Sequence, residues 1–275
     1  MFGKPTRTIL CPSCGRLTRA DAEECLVCGR RRPGMWGLSD LFRRLFRTGG
    51  PTQIITIACV ALYVLSLIID PAGALSPRGP FEIFSPSFAA LRRLGMTGIG
   101  PWTNGEWWTL VTSIYLHGGV LHILFNVLWI RQLGPAVEEL YGPSRLVIIF
   151  TVSGALGFAV SDFVSAYPTI GASGAIFGLL GAMVAYGRRR GGAFGAMVLR
   201  QYGQWALVLF IFGFFMSGVN NLAHAGGFLG GFIAGLVLSF SERRQESALE
   251  RTIAGALIAL TALGFALAIW TAVTG

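Results

Sequence analysis

The chain has 275 residues, 53% of them hydrophobic and only 13% charged, with a mean hydropathy of +0.62. Such a composition excludes an ordinary soluble domain and marks a polytopic membrane protein. The formal charge of +9 would suit a nucleic-acid binder, but the cations are distributed by topology, as the spans below show, and no nucleic-acid partner is expected.

Residues 1–34 read as a separate small module. Cys11-Pro12-Ser13-Cys14-Gly15 and Cys25-Leu26-Val27-Cys28-Gly29 are two C-x-x-C-G knuckles separated by ten residues. This spacing lets four thiolates, from Cys11, Cys14, Cys25 and Cys28, point at one structural zinc ion, with a glycine easing each turn. In a reducing cytoplasm metal is preferred to disulfides. A segment this short builds little core, so the metal would hold the fold together. The module resembles a zinc ribbon, and its partner is not legible. The fifth cysteine, Cys59, falls in an apolar span and reads as a small core residue. Residues 35–50 form a basic linker. In Ser39–Arg47 the residues Leu41, Phe42, Leu45 and Phe46 share one helical face with arginines between them, which suits a short helix lying on an anionic leaflet.

No cleavable secretory signal is expected, because the first apolar span starts near residue 52, after a segment unlike an n-region. Residues 51–275 then read as one transmembrane domain with seven helical spans, each judged against the ~20 residues needed to cross ~30 Å of hydrocarbon. The first covers about residues 52–69 and ends at Asp70-Pro71. Residues 70–119, with five prolines and Trp102, Trp107 and Trp108, read as an external segment resting in the interface. The second span runs from about 120 to Tyr141, where Gly142-Pro143 is a stop signal. The third covers about 144–163, and the fourth runs from Ser173 to Arg188-Arg189-Arg190. Between Arg200 and Glu242 lie 41 uncharged residues, about 60 Å of helix and twice one crossing. That stretch must fold back at Met216–Asn221, giving spans at 202–216 and 222–240. A seventh span covers 252–273.

Of the 22 Lys and Arg, ten then precede Pro51, two lie in 131–145, four in 188–200 and three in 243–251, all on one side of the membrane. Arg78, Arg92 and Arg93 lie on the other. This is the positive-inside pattern, with the N-terminus cytoplasmic and the C-terminus external in the cell membrane.

The chemistry centres on Gly171-Ala172-Ser173-Gly174-Ala175-Ile176-Phe177-Gly178. Ser173 reads as a nucleophile, which needs an adjacent base, and the chain has only three histidines. Ser173 is 15 residues before Arg188, a rise of about 22 Å, so it stops ~8 Å below the outer interface. A recessed helix start needs partners for its N–H groups, which a water-filled cavity open to the outside would supply. His224, 18 residues before Glu242, and His122, 16 before Glu138, stand about 27 and 24 Å above their cytoplasmic ends. Three polar groups thus reach one level. His224 shares a face with Gly227, Gly231 and Gly235, and a close approach to Gly174, Gly178 and Gly181 would bring it within reach of Ser173, with Phe177 packed on the imidazole. His122 and Asn126 share a helical face and suit hydrogen-bond donation to an anion forming beside Ser173. His117 and His122, five apart, do not share one, so a His-pair metal site is not expected. Asp162 lies near the outer end of the third span, and no acidic third member is evident.

Gly171-x-Ser173-Gly174, Ala223-His224-x-x-Gly227-x-x-x-Gly231, and His117 with His122-Ile123-Leu124-Phe125-Asn126 occur in this order on these spans. With them, residues 52–240 resemble the rhomboid intramembrane serine proteases. The resemblance implies an all-α, six-helix core with a C-terminal seventh helix. It also implies a dyad with Ser173 as nucleophile and His224 as general base, an oxyanion pocket from His122, Asn126 and the Ser173 N–H, and no catalytic cofactor. Substrates would be membrane-anchored proteins cut near the outer end of a transmembrane segment. Two positions depart from the pattern: many members carry a Trp-Arg pair in the external loop where this chain has Trp108-Thr109, and some have Tyr where it has Phe177. The competing reading is a proteolytically inactive member of the fold that binds transmembrane segments as a scaffold or quality-control factor. Its sequence sign would be loss of Ser173 or His224, and both are present. A transporter is disfavoured by the lack of an inverted repeat.

Overall fold

A computed structural model describes residues 8–11, 16–19, 22–29, 50–75, 84–165, 167–216, 218–241 and 245–274. The chain divides into two compact units, residues 1–53 and 54–275. In the first, strand β1 (Thr8–Leu10) pairs antiparallel with β2 (Leu17–Arg19), Thr8 opposite Arg19 and Leu10 opposite Leu17. Gly29 closes the second knuckle by donating its N–H to the Cys25 carbonyl at 2.9 Å, at a φ of +69° that L side chains rarely adopt. Cys14 and the basic stretch Ser39–Arg47 lie outside the described residues.

The second unit is helical. In chain order its elements are α1 (Pro51–Ile69, whose first turn belongs to the preceding unit), α2 (Pro71–Leu75), α3 (Phe88–Arg93), α4 (Ile99–Thr103), α5 (Thr109–Thr112), a 3-10 turn (Ser113–Tyr115), α6 (Val120–Tyr141), α7 (Pro143–Val164), α8 (Ser173–Arg190), α9 (Gly192–Phe215), α10 (Asn221–Val237) and α11 (Ala248–Thr274). Among the described residues five helices, α1, α6, α7, α9 and α11, are long and apolar enough to cross a membrane. The fold is that of an all-α polytopic membrane protein. α8 carries three arginines in its last turn, and α10 has 17 residues.

The helix ends follow from local chemistry. Gly142, at a φ of +101°, stops α6, and Pro143 opens α7 at a position where its missing N–H costs nothing. Gly191 and Gly192, both at positive φ, turn the chain from α8 into α9. The largest difference from the sequence reading is at the fifth span, which begins at Gly192 and not near residue 202. The helix runs through Arg200, which is exposed, because a long cationic side chain can lie along an apolar surface and reach the headgroups.

α8 is the central element. Most of its residues are buried, including Gly174, Phe177, Gly178, Gly181 and Tyr186, and it packs against α7, α9 and α10. Small residues, Gly174, Gly178, Gly181 and Ala182 among them, alternate with larger buried ones such as Phe177 and Leu180, so neighbouring helices can approach its backbone closely. α9 and α11 bury few residues, and Val208, Ile211, Phe212, Ile258 and Trp270 are exposed, which suits contact with lipid.

Residues 84–115 fold over the Ser173 end as short helices. Ser87 caps α3 through the Ala90 N–H, and Arg92 grips Glu106 with two contacts of 2.6 Å. Where the family pattern has Trp-Arg, the Thr109 hydroxyl donates to the Glu106 carbonyl at 2.7 Å and lies 3.2 Å from the Thr97 hydroxyl. Trp108 packs beneath Gly264 of α11, whose missing Cβ would meet Trp108 Cβ at 3.4 Å and Thr112 Cγ2 at 3.2 Å. α11 therefore supports residues 84–115 directly. At the opposite end Arg145, counted from sequence among the flanking cations, is fully buried and donates from Nε and Nη2 to Glu250 at 2.8 and 3.0 Å. Burial of this charge is tolerated because the carboxylate and two carbonyls, of Tyr141 and Gln245, replace its water.

Candidate active site

Ser173 is the first residue of α8, so neither its N–H nor that of Gly174 has an intrahelical acceptor. Gly171 delivers the chain to this point at a φ of +118°, and a Cβ there would lie 2.5 Å from His122 Nε2. Glycine is required both by the backbone and by the imidazole against it. The Gly171 N–H donates to the Ser113 carbonyl at 2.9 Å, tying the approach to Ser173 onto the 3-10 turn.

His224 comes from the first turn of α10. The two helices meet backbone to backbone: a Cβ on Gly227 would overlap the Gly174 carbonyl, one on Gly231 the Gly178 carbonyl, and one on Gly235 would lie 2.9 Å from Ala182 Cα. Gly181 instead faces the backbone of Phe228 and Phe232. This approach places His224 Nε2 2.9 Å from Ser173 Oγ. Phe177, one turn below Ser173, stacks on the imidazole with centroids 4.3 Å apart and planes 17° from parallel. His224 is buried and Ser173 half-buried. No described side chain reaches His224 Nδ1, so the pair has no acidic third member among the described residues. A neutral imidazole with its proton on Nδ1 presents a lone pair to the serine hydroxyl, the arrangement needed to activate it.

His122 lies beside the same helix start through Gly171. Its Nδ1 accepts from the Gly118 N–H at 3.3 Å, which leaves its proton on Nε2, the atom against Gly171. Asn126 Nδ2 donates to the His122 carbonyl at 2.8 Å, which leaves the amide a second N–H. The rings of His117 and His122 meet edge to face at 5.1 Å, contrary to the helical-spacing expectation. His117 precedes α6, and the Gly118-Gly119 turn folds it back. Its Nδ1 bonds the Tyr115 carbonyl, and burial pushes its pKa down to about 3, the His122 ring adding to this, so it is neutral. No third ligand joins the pair among the described residues.

Asp162 does not touch His224. Its Oδ2 accepts from the Thr97 hydroxyl at 2.5 Å, and Thr97 in turn bridges to Thr169, whose N–H donates to the Thr97 carbonyl. The contact has no sequence signal, because Thr97 and Asp162 stand 65 positions apart.

In the N-terminal unit the sulfurs of Cys11, Cys25 and Cys28 lie within 4.8 Å of one another, with Cys11 Sγ and Cys28 Sγ 3.6 Å apart. Tetrahedral zinc with Zn–S bonds of ~2.3 Å separates its sulfurs by ~3.8 Å, so these three thiols can hold a metal ion.

Comparison with known proteins fits this architecture. The Rhomboid domain family model matches residues 104–241, half of the chain. Rhomboid protease GluP of Bacillus subtilis is 40% identical over 168 residues, covering 59% of this chain and 32% of GluP. Putative rhomboid protease YdcA of the same organism is 36% identical over 149 residues, 51% of this chain and 72% of the relative. Rhomboid protease GlpG of Salmonella choleraesuis is 31% identical over 195 residues, 70% of this chain and 63% of GlpG. The chain thus spans less than two thirds of GluP and of GlpG. The matched segment contains the glycine-packed helices, the Ser173–His224 contact and the His122 face together, and the chain belongs to the rhomboid family.

Proposed function

We propose that the chain is an intramembrane serine endopeptidase that cleaves membrane-anchored proteins near the outer end of a transmembrane segment. The observation that carries this reading is the 2.9 Å approach of His224 Nε2 to Ser173 Oγ, two groups contributed by separate helices. In the reaction His224 takes the hydroxyl proton as Ser173 attacks the peptide carbonyl. The tetrahedral oxyanion is stabilised by the Ser173 N–H, His122 Nε2–H and the remaining Asn126 N–H, and His224 returns its proton to the leaving amine. Water, activated by the same imidazole, then releases the acyl group. The residues themselves perform every step without a cofactor. A peptide bond inside a regular helix is shielded, so segments with helix-weakening residues near the outer face are the favoured substrates.

The same reading places residues 1–34 and the basic linker 35–50 in the cytoplasm, residues 51–275 as the protease domain, and the C-terminus outside, since the cations cluster at one set of helix ends. Cys11, Cys14, Cys25 and Cys28 would hold one structural zinc ion. The test is incubation of the purified protein in detergent with a single-span substrate beside Ser173→Ala and His224→Ala. Wild type cleaves, and either substitution lowers the rate by at least ~10³-fold. Equal cleavage by all three proteins would remove the protease reading; no cleavage by any would leave the scaffold.

A further inference from the structure

Asn220 was read from sequence only as part of a helix break, yet its side chain joins three elements at one point. Its Oδ1 accepts from the N–H groups of Leu222 and Ala223, both at 3.1 Å, capping α10. Its Nδ2 donates to Ser161 Oγ of α7 at 2.6 Å and to Thr169 Oγ1 at 2.9 Å. Two backbone donors face one end of the amide and two hydroxyls face the other, so its orientation is determined and all its hydrogen-bonding capacity is used. Asn220 stands four residues before His224, whose own N–H donates to the Asn220 carbonyl at 3.2 Å. Thr169 stands four residues before Ser173, and it is further held by the Thr97 bridge beside Asp162.

The glycine faces of α8 and α10 set how close the two helices come. Smooth backbone surfaces oppose sliding weakly, however, and a slide along the helix axis separates an imidazole from a hydroxyl as surely as a parting does. Directional hydrogen bonds from one amide to both approaches remove that freedom. We propose that Asn220 is a positioning residue which, with Thr169 and Ser161, fixes the axial register between the start of α10 and the start of α8 and thereby aligns His224 with Ser173. This rests on the reading of that pair as nucleophile and base.

Two substitutions separate the tether from the helix cap. Asn220→Ser keeps a good capping side chain but is too short to reach Ser161 and Thr169. Thr169→Val removes one anchor and leaves the cap untouched. The full-length protein in detergent is reacted with a fluorophosphonate, which reports activation of Ser173 without a protein substrate, and assayed on a single-span substrate. Both variants label about tenfold more slowly, and kcat falls by a similar factor with KM within about twofold. The double variant is no slower than the slower single variant, because both remove one tether. Asn220→Asp, toward which the two hydroxyls can turn as donors, recovers most of the rate. Unchanged labelling in both single variants, or loss in step with the melting temperature and no recovery with Asp, overturns the proposal while leaving the Ser173–His224 reading intact. A wild-type protein that labels no faster than Ser173→Ala would overturn both.

Discussion

Gly227→Ala tests the contact on which the site depends. A methyl group on Gly227 would lie 3.0 Å from Gly174 Cα and 2.7 Å from its carbonyl carbon, where ordinary contacts begin at 3.4 Å. The obstructing atoms, the Gly174 carbonyl oxygen foremost, are backbone within a buried helix and cannot swing aside, so α8 and α10 must part by at least ~0.7 Å to clear the carbonyl carbon and by more to clear the oxygen. Gly174 follows Ser173 and Gly227 is one turn beyond His224, so the movement acts directly on the pair. Their 2.9 Å separation becomes ~3.6 Å or more, beyond a useful hydrogen bond. A displacement of this size at reacting groups costs on the order of 10²-fold in kcat, or about 2.7 kcal/mol of barrier, with KM little changed. The assay is steady-state cleavage of a single-span substrate in detergent, alongside thermal unfolding. Gly255→Ala in α11 is the control: no neighbouring atom lies within 4 Å of its new methyl group, so activity is retained and helix stability rises slightly. A Gly227→Ala protein with kcat within threefold of wild type would refute the packing account, because it would mean the helices were never in limiting contact.

Arg145→Met leaves Glu250 without its bidentate partner in a buried position, and the unfolding free energy in detergent falls by about 3–5 kcal/mol; pairing it with Glu250→Gln recovers part of that loss, whereas a melting temperature unchanged by the single substitution would contradict the burial seen here. Elemental analysis of the full chain finds about one zinc per molecule, as a four-thiolate site requires. Cys11→Ser or Cys25→Ser lowers this, and equal metal content in wild type and both variants would defeat the zinc assignment.

Much of this protein is written in its local pattern. The lengths of the apolar runs, the glycine and proline stops at residues 142 and 143, and the arginines closing α8 determine how many helices form and roughly where they end, since a helix in lipid must satisfy its own backbone. Rise per residue is equally local, and from it comes the expectation that Ser173, His224 and His122 share one level. The glycine spacing of α10 identified the face that a neighbour must approach.

The start of α9 is not legible in the sequence because Arg200 reads as a boundary, when a flexible cation on a helix surface marks none. The His117–His122 contact is not legible either, because helical spacing says nothing about a residue folded back by the turn before the helix. Arg145 carries the same letter as the solvated arginines around it, yet it lies inside the protein, a fate decided by Glu250, 105 positions away. Asn220, Thr169, Thr97 and Asp162 likewise have partners remote in the chain. Composition and periodicity therefore determined the long helices and their order, which depend on neighbours in sequence. Only the tertiary structure decided which side chains meet at the helix ends, because hydrogen bonds act over 3 Å of space without regard to the length of chain between them.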